Sequence, residues 1–180
     1  MNRKETTIFL GELLERSLSG IGKHYAKEVT VDYGSSTEKR IDFLQFKPPS
    51  GMFASNIEKG IFICYEIKSC PQDVYSGNGL NFLGEQNYIV TTMETYKKLQ
   101  PDMREGKLWD HIRNTNPESS KYFGIMVAVP EGRDDYEEYE NPTSLDADCG
   151  WKLRKIIPCN QGPRKRSITE LLFCMIRSGK

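Results

Sequence analysis

The sequence lacks net charge, lacks long apolar runs and holds only two histidines. Its 25 lysines and arginines cancel 25 aspartates and glutamates, so the whole-molecule field does not announce a polyanionic partner. No stretch approaches the ~20 apolar residues of a membrane span, and Met1–Gly11 has no apolar signal-peptide core. The expectation is a cytoplasmic protein with no membrane partner. Cysteine is sparse and unpatterned. Cys64, Cys70, Cys149, Cys159 and Cys174 form no C-x-x-C pair, and an odd number lying partly in apolar segments fits reduced thiols, not a disulfide framework. A zinc site joining them to His24 or His111 lacks ligand spacing.

What is present is the length and composition of one ordinary domain, 1–180, able to bury a core without covalent staples. Its charge is unevenly placed. Acids crowd Glu131–Asp148, while Lys152, Arg154, Lys155, Arg164, Lys165 and Arg166 follow. Two readings are open: a basic strip that holds phosphates with salt-dependent affinity, or a solvated face beside an acidic loop.

Leu10, Leu13, Leu14, Leu18 and Ile21 recur at helical spacing within Thr6–Ala26, with Thr6 or Thr7 available as a cap. Alternation predicts strands at Lys27–Tyr33 and Arg40–Phe46, joined by a turn at Gly34–Ser36. Pro48–Lys59 reads as loop. Gly60–Lys68 is apolar almost throughout, as a central strand covered on both faces should be. Further strands are predicted at Asn87–Thr92, Tyr122–Val129 and Trp151–Ile157, with helical segments from Met93 and over Lys107–Asn114. A last helix begins at Ser167, where Ser167-Ile-Thr-Glu170 has capping-box spacing and Ile168, Leu171, Leu172, Met175 and Ile176 form the apolar face. The order predicts an α/β fold, a central mixed sheet flanked by helices.

Charges inside the central strand are the informative anomaly. Glu66 and Lys68 stand two apart and therefore project from one face, with Tyr65 and Ile67 on the other. Buried ionised groups are costly unless paired or bound to an ion, and the pair ends the strand, where open α/β sheets form their sites. Asp42, between Ile41 and Phe43, repeats the anomaly one strand earlier and can approach Glu66 if the two strands pair. Two close carboxylates call for a bridging cation, and oxygen ligands suit Mg²⁺ or Mn²⁺. With an ammonium beside them, these are parts used in phosphodiester hydrolysis. The bland alternative is an exposed Glu–Lys pair with Asp42 solvated at a sheet edge. The other E-x-K, Glu105-Gly-Lys107, lies in a polar stretch with no acid-bearing strand before it.

Lys39-Arg-Ile-Asp-Phe43 followed by Tyr65-Glu-Ile-Lys-Ser69 resembles the core of the PD-(D/E)XK nuclease superfamily, with Ile41 in place of the usual proline. Glu66-Ile-Lys-Ser with Asp73, then Asn87-Tyr-Ile-Val90 and Gly124–Pro130, resembles MmcB-type DNA-repair proteins and related phage or prophage nucleases. The Q-x-x-x-Y helix motif of another branch is absent.

The resemblance implies a restriction-endonuclease-like core and a metal-dependent DNA endonuclease acting in repair, recombination or phage DNA processing. Asp42 and Glu66 would hold the metal, Lys68 would stand beside the attacking water, and Glu12 or Glu15 would complete the ligand set. Ser69 and Asp73 match family positions, though capping after the strand explains them equally. Asn78, in a Gly77-Asn-Gly79 loop near the site, either touches DNA or belongs to a turn needing positive φ. Lys152, Arg154, Arg164, Lys165 and Arg166 are the other candidate DNA contacts. Trp109 and His111 are expected to pack in the core. DNA is the expected partner, a homodimer one admissible state. The rival function is a DNA- or partner-binding module that keeps the nuclease fold without turnover.

Overall fold

The computed structural model describes residues 1–21, 23–49 and 54–178, and one six-stranded sheet organises them. Its strands are β1 (His24–Val31), β2 (Lys39–Lys47), β3 (Ile61–Ile67), β4 (Gln86–Thr92), β5 (Gly124–Pro130) and β6 (Trp151–Ile157). They lie side by side in chain order. β1, β2 and β3 are antiparallel, β3, β4 and β5 parallel, and β6 antiparallel again. The helices are α1 (Arg3–Leu18), α2 (Pro71–Val74), α3 (Met93–Arg104), α4 (Lys107–Thr115), α5 (Asp135–Glu140) and α6 (Ile168–Ser178). The α/β class with a mixed sheet between helices is therefore as expected. No helix among the described residues is long and apolar enough to cross a membrane.

Strand alternation divides the core. Leu10, Leu13, Leu14 and Leu18 of α1 pack on Phe43, Tyr65, Ile67, Tyr88, Val90 and Met126. On the other face α6 covers Val29, Val31, Ile41, Leu44, Phe62 and Cys64, while α3, α4 and the segment after α2 cover Ile89. Ile67 and Cys64 thus face opposite ways, and Glu66, of the same parity as Cys64, points away from α1.

Several ends differ from the sequence reading. Asn2, not Thr6 or Thr7, caps α1 through a reciprocal capping box with Glu5, and the helix stops at Leu18, leaving Ile21 fully exposed. Ser167 accepts the Glu170 N–H, but the Glu170 carboxylate turns to Arg166, so the box is half formed. Ile176 is 71% exposed, off the buried face of α6. A short 3₁₀ helix (Ala54–Lys59) falls within the expected loop, whose residues 50–53 lie outside the described residues. The acidic loop contains α5, in which Asp134 caps the start and buried Glu138 pairs with Arg133. Trp109 and His111 pack as expected, on Phe123 and Tyr75.

Asn87, fully buried at the start of β4, ties the loops on either side of the strand. Its amide accepts from Gly84 N–H and donates to the Gly84 and Tyr122 carbonyls. Asn87→Ala strands those groups without water and should cost about 2–3 kcal/mol. Thermal unfolding should register this as a fall in Tm of roughly 5–10 °C. An unchanged Tm would mean the loops find other partners.

Candidate metal and phosphodiester site

The site forms where β2 and β3 part. Their pairing runs from Lys47–Ile61 to Phe43–Tyr65, and the next step of that register sets Asp42 opposite Glu66. The ladder stops there. Asp42 turns its carboxylate into the fork, where Oδ2 accepts the Ile67 N–H at 2.8 Å. On the outer side, Glu28 of β1 stands opposite Asp42 at φ 53°, and pairing skips that step between Lys27–Phe43 and Val29–Ile41.

Glu66 is 1% exposed. Its Oε1 accepts the Asn81 N–H at 3.2 Å, whereas Oε2 is buried with no hydrogen-bond partner. Burial is the main reason its carboxyl is pushed up to about 8; repulsion from Asp42 adds to this, while Lys68 and the Asn81 and Leu80 amides oppose it. Burial raises Asp42 above the usual carboxylate range as well, against the Ile67 N–H and the Lys68 and Arg40 charges. Lys68, 6% exposed, donates from Nζ to the Asn78 carbonyl at 2.7 Å.

The turn Gly77–Asn81 closes over this group. Gly77, Gly79 and Leu80 all have left-handed φ (79°, 74° and 57°). The turn comes so close that a Cβ on Gly79 would sit 2.6 Å from Glu66 Oε2 and 2.8 Å from Lys68 Nζ. Asn81 also bridges the fork, donating from Nδ2 to the Arg40 carbonyl at 2.8 Å. Around it lies an open cleft of about 1040 Å³ lined by Asp42, Glu66 and Lys68 and by Arg3, Lys39 and Arg40.

The donor set fits a hard cation. Both nearby carboxylates are held above their usual range, and one buried oxygen lacks a partner. Among the described residues no group of three or more His, Cys, Asp or Glu side chains converges to cage an ion, so a metal here would keep several waters, as Mg²⁺ does.

The other sequence candidates fare unequally. Glu12 is exposed in a shallow depression with Glu15, Arg16 and Ser19, outside the cleft. α1 lines the cleft only with its first turns, through Arg3, Lys4, Thr7 and Ile8, and Glu12 falls one turn beyond them. Glu15 is likewise committed, to Tyr25 and Lys27. Ser69 is buried, and its hydroxyl donates to Asp73 at 2.5 Å, fixing the turn into α2 instead of facing a ligand. Asp73 also binds Arg3; burial works against its ionised form, but Ser69 and Arg3 hold its carboxyl below the usual range. Asn78 lies at the cleft rim, exposed.

The basic strip is not continuous. Lys152 and Arg154 lie on edge strand β6, where Arg154 pairs with Asp135. Arg164 pairs with Glu85 and stacks on Phe62. Lys165 is exposed. Arg166 pairs with Asp32, Glu118 and Glu170. The cations that do face the cleft are Lys68, Arg3, Lys4, Lys39 and Arg40, of which the last two belong to the same Lys39-Arg-Ile-Asp42 run that held the motif. Two consecutive cations just before Asp42 were the available signal. Searched against protein-family models, curated proteins and solved structures, the chain matches none of them.

Proposed function

We propose that this protein is a metal-dependent deoxyribonuclease of the PD-(D/E)XK type, hydrolysing phosphodiester bonds at the β2–β3 fork. One observation carries the reading. Asp42 and Glu66 occupy opposed positions just past the last β2–β3 pair, and Glu66 keeps a buried oxygen without a partner. Two carboxylates so placed repel each other and favour a cation between them. Asp42 and Glu66 would hold Mg²⁺ or Mn²⁺, which supplies an acidified water and neutralises phosphate charge.

The chain's own residues set the rest. The Ile67 N–H fixes the orientation of the Asp42 carboxylate, and the Asn81 N–H fixes that of Glu66. Lys68 spends one of three N–H donors on the Asn78 carbonyl, leaving two for a water or a phosphate oxygen. Its buried stem keeps the ammonium next to Glu66 without a search through rotamers.

The test is cleavage of single-stranded, duplex and branched DNA with Mg²⁺ or Mn²⁺, with and without chelator. Lys68→Ala should lower the rate about 10²–10³-fold. A rate untouched by that substitution would assign the cutting to a contaminant or to another site. A binding module without turnover is the second reading, favoured by the Gly77–Asn81 turn that rests on Glu66 and occupies Lys68. DNA affinity retained in Lys68→Ala, with no cleavage by the unaltered protein, would select it.

A further inference from the structure

Three of the cations around the cleft are matched by a carboxylate of the chain: Arg3 with Asp73, Arg40 with Glu28, Lys39 with Glu118. The last match is unusual. A single oxygen, Glu118 Oε2, accepts from Lys39 Nζ at 2.8 Å and from the Arg166 guanidinium at 3.0 Å. The partners differ in how firmly they are placed. The Lys39 and Arg166 side chains are only 18% and 20% exposed, whereas Glu118 is 53% exposed. Arg166 is also held by Asp32 and Glu170, so it stays in place if Glu118 leaves. Glu118 is tied by exposed ion pairs alone, which are weak and salt-screened.

We propose that Lys39, on the cleft wall, and Arg166, behind Glu118 at the cleft edge, form a phosphate subsite, which Glu118 fills from within the chain until a nucleic-acid backbone displaces it. The inference rests on the nuclease reading for the identity of the anion as a DNA phosphodiester. Two preorganised cations converging on one oxygen are what a phosphate oxygen requires. Lys39 precedes Asp42 by three residues on β2, or roughly 10 Å of strand. A displaceable carboxylate also accounts for a phosphate-binding cleft in a chain with no net charge. The cations are masked, not missing.

The experiment measures binding of a short fluorescein-labelled DNA, single-stranded and duplex, by anisotropy in chelator. Glu118→Gln should tighten binding by up to about fivefold at low salt. Lys39→Gln should weaken it and make the logarithmic salt dependence shallower by about 0.7 on single strands or 0.9 on duplex. In the double variant the gain from Glu118→Gln should shrink, because the residue acts through Lys39. Glu137→Gln, an exposed acid on α5, controls for loss of one negative charge. An unchanged affinity in Glu118→Gln, a gain matched by Glu137→Gln, or a gain undiminished without Lys39 would each overturn the subsite. Coupled binding effects without cleavage of any DNA would retain the subsite and discard the nuclease. Cleavage lost in Lys68→Ala but binding indifferent to Glu118 and Lys39 would do the reverse.

Discussion

Glu66→Gln is expected to abolish metal-supported DNA cleavage, by about 10³-fold or more, and at the same time to make the metal-free protein more stable at alkaline pH. The second effect follows from linkage. The ordinary carboxyl titrates near 4.5, but in the fold Glu66 is raised to about 8, chiefly by burial and then by Asp42. Below 4.5 the carboxyl is protonated in both folded and unfolded chains, so burial carries no charge penalty. Between 4.5 and 8 the unfolded chain ionises while the folded one resists, so stability falls with rising pH. Above 8 both forms are ionised and the loss levels off, at a few kcal/mol.

Glutamine has the same shape and never ionises, so the gap in Tm between Glu66→Gln and the unaltered protein should widen across that window. A divalent cation competes with the proton for the carboxylate. Mg²⁺ or Mn²⁺ should therefore raise the Tm of the unaltered protein most at pH 8 and above, and leave Glu66→Gln unmoved. Parallel Tm curves for the two proteins, with and without Mg²⁺, would sink the metal site.

Gly79→Ala should damage the site far more than the fold. Alanine at φ 74° costs about 1–2 kcal/mol in backbone conformation. The new methyl would also meet Glu66 Oε2 at 2.6 Å and Lys68 Nζ at 2.8 Å, so one of the two must move. A displacement of about 1 Å at a reacting group lowers rates roughly 100-fold. Gly77→Ala separates the two contributions. Its φ is 79°, yet the nearest atom to a new Cβ is Thr115 Cγ2 at 3.7 Å, an ordinary contact. Both variants should lose similar stability by denaturant titration, and only Gly79→Ala should lose cleavage in proportion to the collision. Equal activity in the two would show that the turn over Glu66 yields freely and positions nothing.

The parts of the site legible in the sequence were those that violate alternation. Charges at 42, 66 and 68 stood out against apolar neighbours in strands, and strand pairing brings 42 and 66 together by register alone. The six strands were likewise visible, β1 and β2 by alternation and β3, β4 and β5 as short apolar runs, with β6 a short stretch after the acidic loop. What stayed hidden depends on contacts between segments distant in sequence. Glu12 sits on a helix of the right length, but nothing in its spacing reveals that α1 meets the cleft only through its first turns. Arg164 and Arg166 read as a free basic cluster because Glu85, Asp32 and Glu118, their partners, are distant in sequence. The Gly77–Gly79 loop read either as a DNA contact or as a turn needing positive φ; its contact with Glu66 and Lys68 is tertiary.

The chain-order sheet has a consequence for how the protein is made. Because every strand pairs with its sequence neighbour, the sheet can grow by accretion as the chain leaves the ribosome, each step closing only the connection between adjacent strands. Asp42 and Glu66 would be brought together once β3 has emerged, before the β4–β6 half of the sheet exists. The exception is α6, the last helix, which covers Val29, Val31 and Ile41 on the first two strands. Until it docks, that apolar face and the free edge of β1 are open to other chains, so nascent protein is most prone to aggregate in the interval between completing the site and closing its cover.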